Sequence, residues 1–460
     1  MKAEKPVQND RPILFDFAER SVELLLQEDP ALYDLIEEEY RRQQHSLAMV
    51  ASCSPAHPSV LFCEGSFTSN VTAEGYPNAR YHAGCKYVDQ FEQLAIDRAK
   101  AAFSAEYANV QPHSASTANQ IVMGSLLAPG DTLMGLDLDC GGHLSHGSKV
   151  NVSGRFYNAV SYGLDADGYI DFEQVERLAD EHRPKLIICG TTAYPRVLDW
   201  ARFREVADRV DAILLADITH IAGLIIAGEH PNPIDVAHIT TTCTHKQLYG
   251  PRGGLILMGK DKDTVLADGK TTLVDAMQRG VFPFMQGAPI VNSIVAKARA
   301  LGRSMTPEFT LLAKRIVTLA RAFADSLVRR GARVMSGGTD NHIVVVDVLT
   351  SFNVTGIIAE SALQDCSIIV NKNRIPGDTK SVRITSGIRV GTNGLAARGF
   401  TATEMDRCAD LIGRILGAVE ADGSRKYSLD ETQAAGFRGE VEQLCARFPI
   451  AGYPGAGHPA

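Results

Sequence analysis

The stretch Thr240–Gly254, TTTCTHKQLYGPRGG, decides how the chain reads. One lysine, Lys246, stands among four threonines, a cysteine and a histidine, just before a glycine-rich turn. Solvation alone requires no such neighbours. A lysine that forms a Schiff base does: its ammonium must shed a proton near neutral pH, which partial burial favours, and hydroxyls must hold the groups around it. The glycines beyond it let backbone approach a bulky cofactor closely. Taken alone, the same residues also describe a surface lysine in a polar loop.

Upstream lies the most apolar segment, Ala212–Gly228, AILLADITHIAGLIIAG. Asp217 and His220 interrupt it, and a buried carboxylate is costly in lipid, so it reads as a buried strand and a turn rather than a membrane span. Short apolar runs at Thr132–Leu138, Lys185–Cys189, Ile213–Ala216 and Gly254–Met258 alternate with helical stretches such as Phe172–Glu181 and Ala201–Arg209. That alternation predicts an α/β fold with a mainly parallel sheet covered on both faces, whose ligands collect at the carboxyl ends of the strands.

Further out, Leu312, Ile316, Leu319, Phe323 and Leu327 mark one apolar face of a long helix that Gly331 ends. A strand at Ile343–Val348, a helix near Ile357–Leu363 and a strand at Ser367–Val370 follow, an α+β pattern. The chain thus divides into an N-terminal arm (1–60), a large domain (61–310) and a smaller C-terminal α+β domain (311–460). In the arm, Asp29 and Pro30 form a helix start, with Leu32, Leu35 and Ile36 at helical spacing. The arm is too short for its own core and is expected to pack on another subunit or on the large domain. The tail, AGYPGAGHPA, reads as loose.

A chain of 460 residues is long enough for two domains, and 45% hydrophobic with 22% charged residues is ordinary for a soluble enzyme. A net charge of −8 with no basic face argues against a nucleic-acid partner. Nine cysteines, an odd number with no C-x-x-C pair and no histidine cluster at metal spacing, predict a reducing cytoplasm, no disulfide framework and no metal. The start, MKAEKPVQNDRP, has no apolar export core.

A pyridoxal phosphate (PLP) site needs an amine, a carboxylate for the pyridinium nitrogen, a flat group over the ring and donors for the phosphate. Lys246 offers the amine. Asp217 ends a predicted strand, where it can keep the ring nitrogen protonated, although a helix cap is an equal reading. GGHLSHG (Gly141–Gly147) can set His143 over the ring; a structural histidine is the alternative. PHSASTAN (Pro112–Asn119) puts hydroxyls before a helix start, which suits a phosphate or a plain N-cap.

Longer stretches settle the comparison. AEGYPNARYHAGCKYVDQFEQLAIDRAK, GGHLSHGSKVNVSGRFYN, DITHIAGLIIAGEHPNP, THKQLYGPRGGLIL and TSGIRVGT, within Ala73–Thr392, resemble the serine hydroxymethyltransferase family of PLP enzymes of fold type I, the aspartate aminotransferase-like fold. The resemblance implies that Lys246 is the Schiff-base lysine, flanked by Thr244 and His245. Asp217 pairs with the ring nitrogen, and His143 stacks on the ring. Ser114 and Ala115 form the phosphate loop, Thr192 meets the ring hydroxyl, and His220 stands beside the ring. Gly287 reaches the partner subunit's phosphate. Arg389 grips the amino acid carboxylate, with Ser52 nearby. Glu74 is the acid–base group, with Tyr81 beside it, and both are expected to serve the neighbouring subunit of a homodimer, or of a tetramer built from it. Leu138, Gly142, Leu144 and Asn373, with Glu74 and Tyr81, match positions that hold tetrahydrofolate, the co-substrate.

Where the family usually reads Tyr-Ala-Glu-Gly and Arg-Tyr-Tyr-Gly-Gly, this chain has Thr72 and His82. That exchange resembles 2-methylserine hydroxymethyltransferase, in which a smaller side chain makes room at the α-carbon. The resemblance therefore implies transfer of a hydroxymethyl carbon between 2-methylserine and tetrahydrofolate, leaving D-alanine. The alternatives are the ordinary serine–glycine reaction, a folate-independent aldolase, and a non-catalytic subunit of the same fold. Ala51-Ser52-Cys53-Ser54 replaces the usual Ala-Ser-Glu-Asn, FPFMQG (Phe282–Gly287) the usual Phe-Pro-Gly-Gly-Gln-Gly, and Arg383 an aromatic residue near the folate.

Overall fold

A computed structural model describes residues 12–454. The reading of the first eleven residues as free of an export signal, and of the last six as loose, falls outside the described residues. Tyr453 of the tail does pack: its ring stacks on Tyr40 and its hydroxyl donates to the Ala56 carbonyl at 2.6 Å.

Seven strands form the main sheet: β1 (Tyr107–Asn109), β2 (Thr132–Leu136), β3 (Asn158–Tyr162), β4 (Leu186–Gly190), β5 (Ile213–Asp217), β6 (Ile239–Cys243) and β7 (Gly254–Met258). Their spatial order is β1-β7-β6-β5-β4-β2-β3. The ladders from β6 through β3 are parallel, while β7 runs antiparallel to both neighbours. β4 and β6 are buried at every position, which explains their unbroken apolar or threonine character: both faces carry helices. Sequence order and spatial order agree along β7-β6-β5-β4 and diverge where β2 sits between β4 and β3 and where β1 joins β7. The carboxyl ends of β5 and β6 deliver Asp217 and the segment leading to Lys246.

The helix Pro307–Arg329 joins this sheet to a second, antiparallel one. It is capped by Thr306, whose side chain accepts from Phe309 N, and its periodic residues Ile316, Leu319, Phe323 and Leu327 are buried. The second sheet orders β8 (Arg333–Val334), β9 (Ile343–Asp347), β11 (Gly387–Gly391) and β10 (Asn371–Asn373). The strand expected at Ser367–Val370 is shorter, Ile368–Ile369, and pairs in parallel with Leu47–Ala48 rather than joining that sheet. The chain around residue 50 is thereby fixed to the C-terminal half. One hydrophobic core runs through both halves, from Leu47 to Cys445.

In the arm, Asp29 caps Pro30–Gln44 by accepting from Leu32 N. Neither that helix nor Ile13–Glu28 buries a residue, and Leu32, Leu35 and Ile36 stay exposed. The segment after Asp217, read as a turn, closes instead into a short helix, Ala222–Ile226. Among the described residues no helix is long and apolar enough to cross a membrane, and no group of three or more His, Cys, Asp or Glu is placed to hold a metal.

Candidate active site

Lys246 lies just past the carboxyl end of β6, in a cavity of about 450 Å³ that is also lined by Ser52, Ser114, Ala115, His143, Thr192, Asp217, His220, His245 and Arg389. Residues from six separated stretches therefore converge on one amine. Burial lowers the Lys246 ammonium from its ordinary value, and Nζ lies 2.7 Å from His220 Nε2. Burial likewise holds the His220 ring well below the usual imidazole range, so it is neutral beside the amine. It stacks on His342, whose Nε2 lies 3.2 Å from the Ala51 carbonyl.

Asp217 sits at the last position of β5. Burial alone would raise its carboxyl. The bond from His146 Nε2 at 2.9 Å and the Thr219 amide at 3.1 Å hold it below the carboxylate range instead. Asn119 Nδ2 donates to the same oxygen, Oδ2, at 2.8 Å. The residue is an ionised, buried anion and not merely a cap. His146 and Asn119 are the partners that sequence reasoning missed. His146 is three residues from His143 within GGHLSHG, and that repeat was the available signal.

His143 projects from the loop after β2. Its Nδ1 pairs with Ser145 Oγ at 2.7 Å, and burial pushes the ring down to about 4, so it is a neutral aromatic face. Gly142 must be glycine: a Cβ there would lie 2.0 Å from the Leu136 carbonyl. Ser114 is the N-cap of the helix Ala115–Leu126, accepting from Thr117 N at 3.0 Å. Its helix start faces the cavity, the geometry that favours an anion. Thr192 Oγ1 donates to the Gly142 carbonyl at 2.9 Å. Arg389, on β11, reaches the loop after β4, donating from Nη1 to the Thr192 carbonyl at 2.6 Å and from Nε to Asn371 Oδ1 at 3.2 Å. Burial pulls its guanidinium down to about 10, still fully charged at neutral pH.

Several expected residues stand elsewhere. Thr244 is fully buried but points away from the amine; its hydroxyl donates to the Pro251 carbonyl at 2.6 Å and tightens the following turn. The turn after β6 draws its hydroxyl to the carbonyls of Pro251 and Gly253 instead. Thr72, Glu74, Tyr81 and His82 do not line the Lys246 cavity. They ride on a small hairpin, Gly75–Tyr76 with Ala79–Arg80. There His82 Nε2 lies 3.3 Å from Glu74 Oε2, Tyr81 packs edge-on against Phe282, and Gly287 lies beside Glu74. Tyr81 is 75% exposed. Leu138 and Leu144 are exposed at the ends of short turns after β2, and an ion pair, Arg374 to Asp139 at 2.7 Å, brings Asn373 to the same edge. Arg383 is exposed.

Among the described residues lining the cavity, Asp217 is the lone acid against Lys246, Arg252 and Arg389. That balance suits a ligand bearing a phosphate and a carboxylate. The model of the serine hydroxymethyltransferase family matches residues 25–412. The chain belongs to that family. It is 47% identical over 424 residues to a serine hydroxymethyltransferase of Halorhodospira halophila, covering 92% of this chain and 97% of the relative. It is 46% identical over 423 residues to one of Alkalilimnicola ehrlichii, covering 92% and 96%. Family members are PLP enzymes of fold type I that transfer one-carbon hydroxymethyl groups with tetrahydrofolate as co-substrate.

The cavity fits that cofactor. A depressed amine, a buried anion at a strand end and a helix start converge, and His220 Nδ1, Thr219 Oγ1 and His245 Nδ1 are buried without a protein partner. Buried polar atoms of this kind call for a ligand.

Proposed function

We propose that the chain transfers a hydroxymethyl carbon between serine and tetrahydrofolate, leaving glycine. The observation that carries this reading is the convergence of Lys246, Asp217, His143 and Arg389 on one cavity in a chain nearly half identical to serine hydroxymethyltransferases over almost its whole length. PLP, when bound, supplies an electron sink for charge at the α-carbon.

The chain's own groups do the rest. Asp217, ionised and held by His146 and Asn119, faces the pyridinium nitrogen and keeps its proton in place. His143, neutral and flat, covers one ring face. Ser114 and the amides after it hold the phosphate, and Thr192 offers its hydroxyl to the ring oxygen. His220 stands 2.7 Å from the Lys246 amine, whose proton burial loosens. Arg389 binds the amino acid carboxylate with a planar fork and so orients the bond to be broken across the ring plane. Ser52 sits beside it.

Glu74 and Tyr81 act at the hydroxymethyl group of a neighbouring subunit, with Glu74 moving the proton of the hydroxyl. Their hairpin lies outside their own cavity, and the unburied faces of the arm helices are apolar. Both features support a homodimer with shared sites. Leu138, Gly142, Leu144 and Asn373 form the edge on which the folate rests. The tripartite division at about residues 60 and 310 belongs to the same reading, as does a cytoplasmic setting.

A second reading rests on Thr72 and His82. Both are exposed on the hairpin, where the family usually has tyrosines, and a smaller side chain there makes room for an α-methyl group, as 2-methylserine requires. Purified protein assayed with glycine against D-alanine, with and without tetrahydrofolate, separates the readings. Serine–glycine exchange that depends on folate and exceeds D-alanine turnover is expected. D-alanine preferred over glycine overturns the first reading in favour of the second, and turnover of serine without folate points to an aldolase.

A further inference from the structure

Lys297 is buried on the helix Val291–Ser304, at 2% exposure. Its Nζ donates to three carbonyl oxygens: Val110 at 2.6 Å, Pro112 at 3.1 Å and Gly254 at 3.1 Å. All three protons of the ammonium are thus used on neutral acceptors. Pro112 is two residues before Ser114, and Gly254 opens β7 and donates its own N–H to Pro112 O at 2.8 Å. The packing is tight enough to dictate sequence. A Cβ on Gly253 would lie 2.1 Å from Lys297 Cε, and one on Gly254 would lie 2.3 Å from the Ser114 carbonyl. The glycine pair of GPRGG therefore makes room for Lys297 and the Ser114 loop, not for a cofactor.

A buried cation needs a compensating charge. Among the described residues the acid acting on Lys297 is Glu92, whose carboxylate is already engaged by Arg80 Nη2 at 2.6 Å and Gln111 Nε2 at 2.7 Å. Burial accordingly pulls the Lys297 ammonium down to about 7. On the loop side stands His113, which burial and the Lys297 charge keep below the usual imidazole range.

We propose that Lys297 is a positioning residue for the cofactor's phosphate: it ties Pro112 and Gly254 together so that the Ser114 helix start presents its amides, and the bound phosphate supplies the counter-charge that the apoprotein lacks. This rests on the phosphate lying at Ser114–Ala115.

The test compares binding of PLP with binding of pyridoxal, which lacks the phosphate, to the apoprotein. Both aldehydes meet Lys246, so its titration cancels in the ratio of affinities. The phosphate's last proton leaves near pH 6, so above about pH 7 only protein groups move that ratio. In the wild type the preference for PLP is expected to fall between about pH 7 and pH 9 as Lys297 loses its charge. Lys297→Met, which keeps length and removes charge, is expected to weaken PLP about tenfold, the size of one charge-assisted interaction, to abolish that pH dependence and to leave pyridoxal within about twofold. Equal losses for both ligands would show a merely structural lysine and overturn the proposal. The wild-type measurement needs no variant, and a preference that stays flat with pH overturns it equally. Ser114→Ala separates the premises: if it leaves the PLP preference intact, the phosphate lies elsewhere. If it lowers the preference while Lys297→Met does not, only the role of Lys297 fails.

Discussion

Asp217 Oδ2 receives two hydrogen bonds inside the protein, from His146 Nε2 at 2.9 Å and Asn119 Nδ2 at 2.8 Å. An anion buried at a strand end is held ionised by neighbours drawn from a helix and a turn. The other carboxylate oxygen, Oδ1, accepts from the Thr219 amide at 3.1 Å.

The first prediction concerns that anion. Asp217→Asn keeps shape and removes charge, and kcat is expected to fall at least a hundredfold, about 2.7 kcal/mol of transition-state stabilisation. His146→Ala leaves the carboxylate with one bond fewer, and unfolding by denaturant is expected to show a loss of about 1–3 kcal/mol. The pH dependence has a definite sign. A carboxyl held below its unfolded value stabilises the fold above about pH 4 and loses that contribution as pH falls. Acid unfolding of the apoprotein, followed by circular dichroism, should therefore be less steep below about pH 4 in Asp217→Asn.

Arg389 supplies the second. Arg389→Lys retains charge but loses the planar fork that spans Thr192 and Asn371. KM for the amino acid is expected to rise by about tenfold or more, with PLP affinity unchanged, because the guanidinium addresses the carboxylate and not the phosphate. Steady-state kinetics with a PLP titration check both halves.

The hairpin carries the third. Arg80 is nearly buried, pairs with Asp89 at 2.8 Å and Glu92 at 2.6 Å, and donates to the carbonyls of Ala73 and Gly75 on either side of Glu74. Arg80→Ala strands Glu92 and frees the hairpin segment that bears Glu74. A loss of about 3–5 kcal/mol in stability is expected, partly restored by adding Glu92→Gln. Equilibrium unfolding of the single and double variants measures it.

The fourth addresses specificity. If Thr72 leaves room for an α-methyl group, as the second reading holds, Thr72→Tyr removes it. The ratio of serine to 2-methylserine turnover is expected to rise by about 10–200-fold, the range of about 1–3 kcal/mol that a methyl group in a shaped pocket supports. Competition between the two substrates reads the ratio directly.

Local pattern carried much of this structure. The apolar runs at Ile213–Asp217 and Gly254–Met258 and the stripe from Ile316 to Leu327 are set by burial on both faces or on one, so period and composition located them. Lys246 stood out by its polar neighbours and Asp217 by its place at the end of an apolar strand, while Arg389 came from the resemblance of TSGIRVGT. Other features depend on distant packing that spacing does not encode. His146 and Asn119 meet Asp217 only after the loops fold, and Lys297 reads as one more helical lysine in VAKARA. Thr244 looks like a site residue beside Lys246, yet its hydroxyl is taken by the Pro251 carbonyl in the turn that follows. Leu47–Ala48 pairing with Ile368–Ile369 joins segments more than 300 residues apart, beyond any local signal.

The central claim is that the Lys246 amine, lowered by burial and set 2.7 Å from His220, carries the cofactor. Borohydride reduction of the PLP-loaded protein followed by peptide mapping tests it most directly. A pyridoxyl label on the peptide containing Lys246 is the predicted result; a label on another lysine, or none, would contradict it.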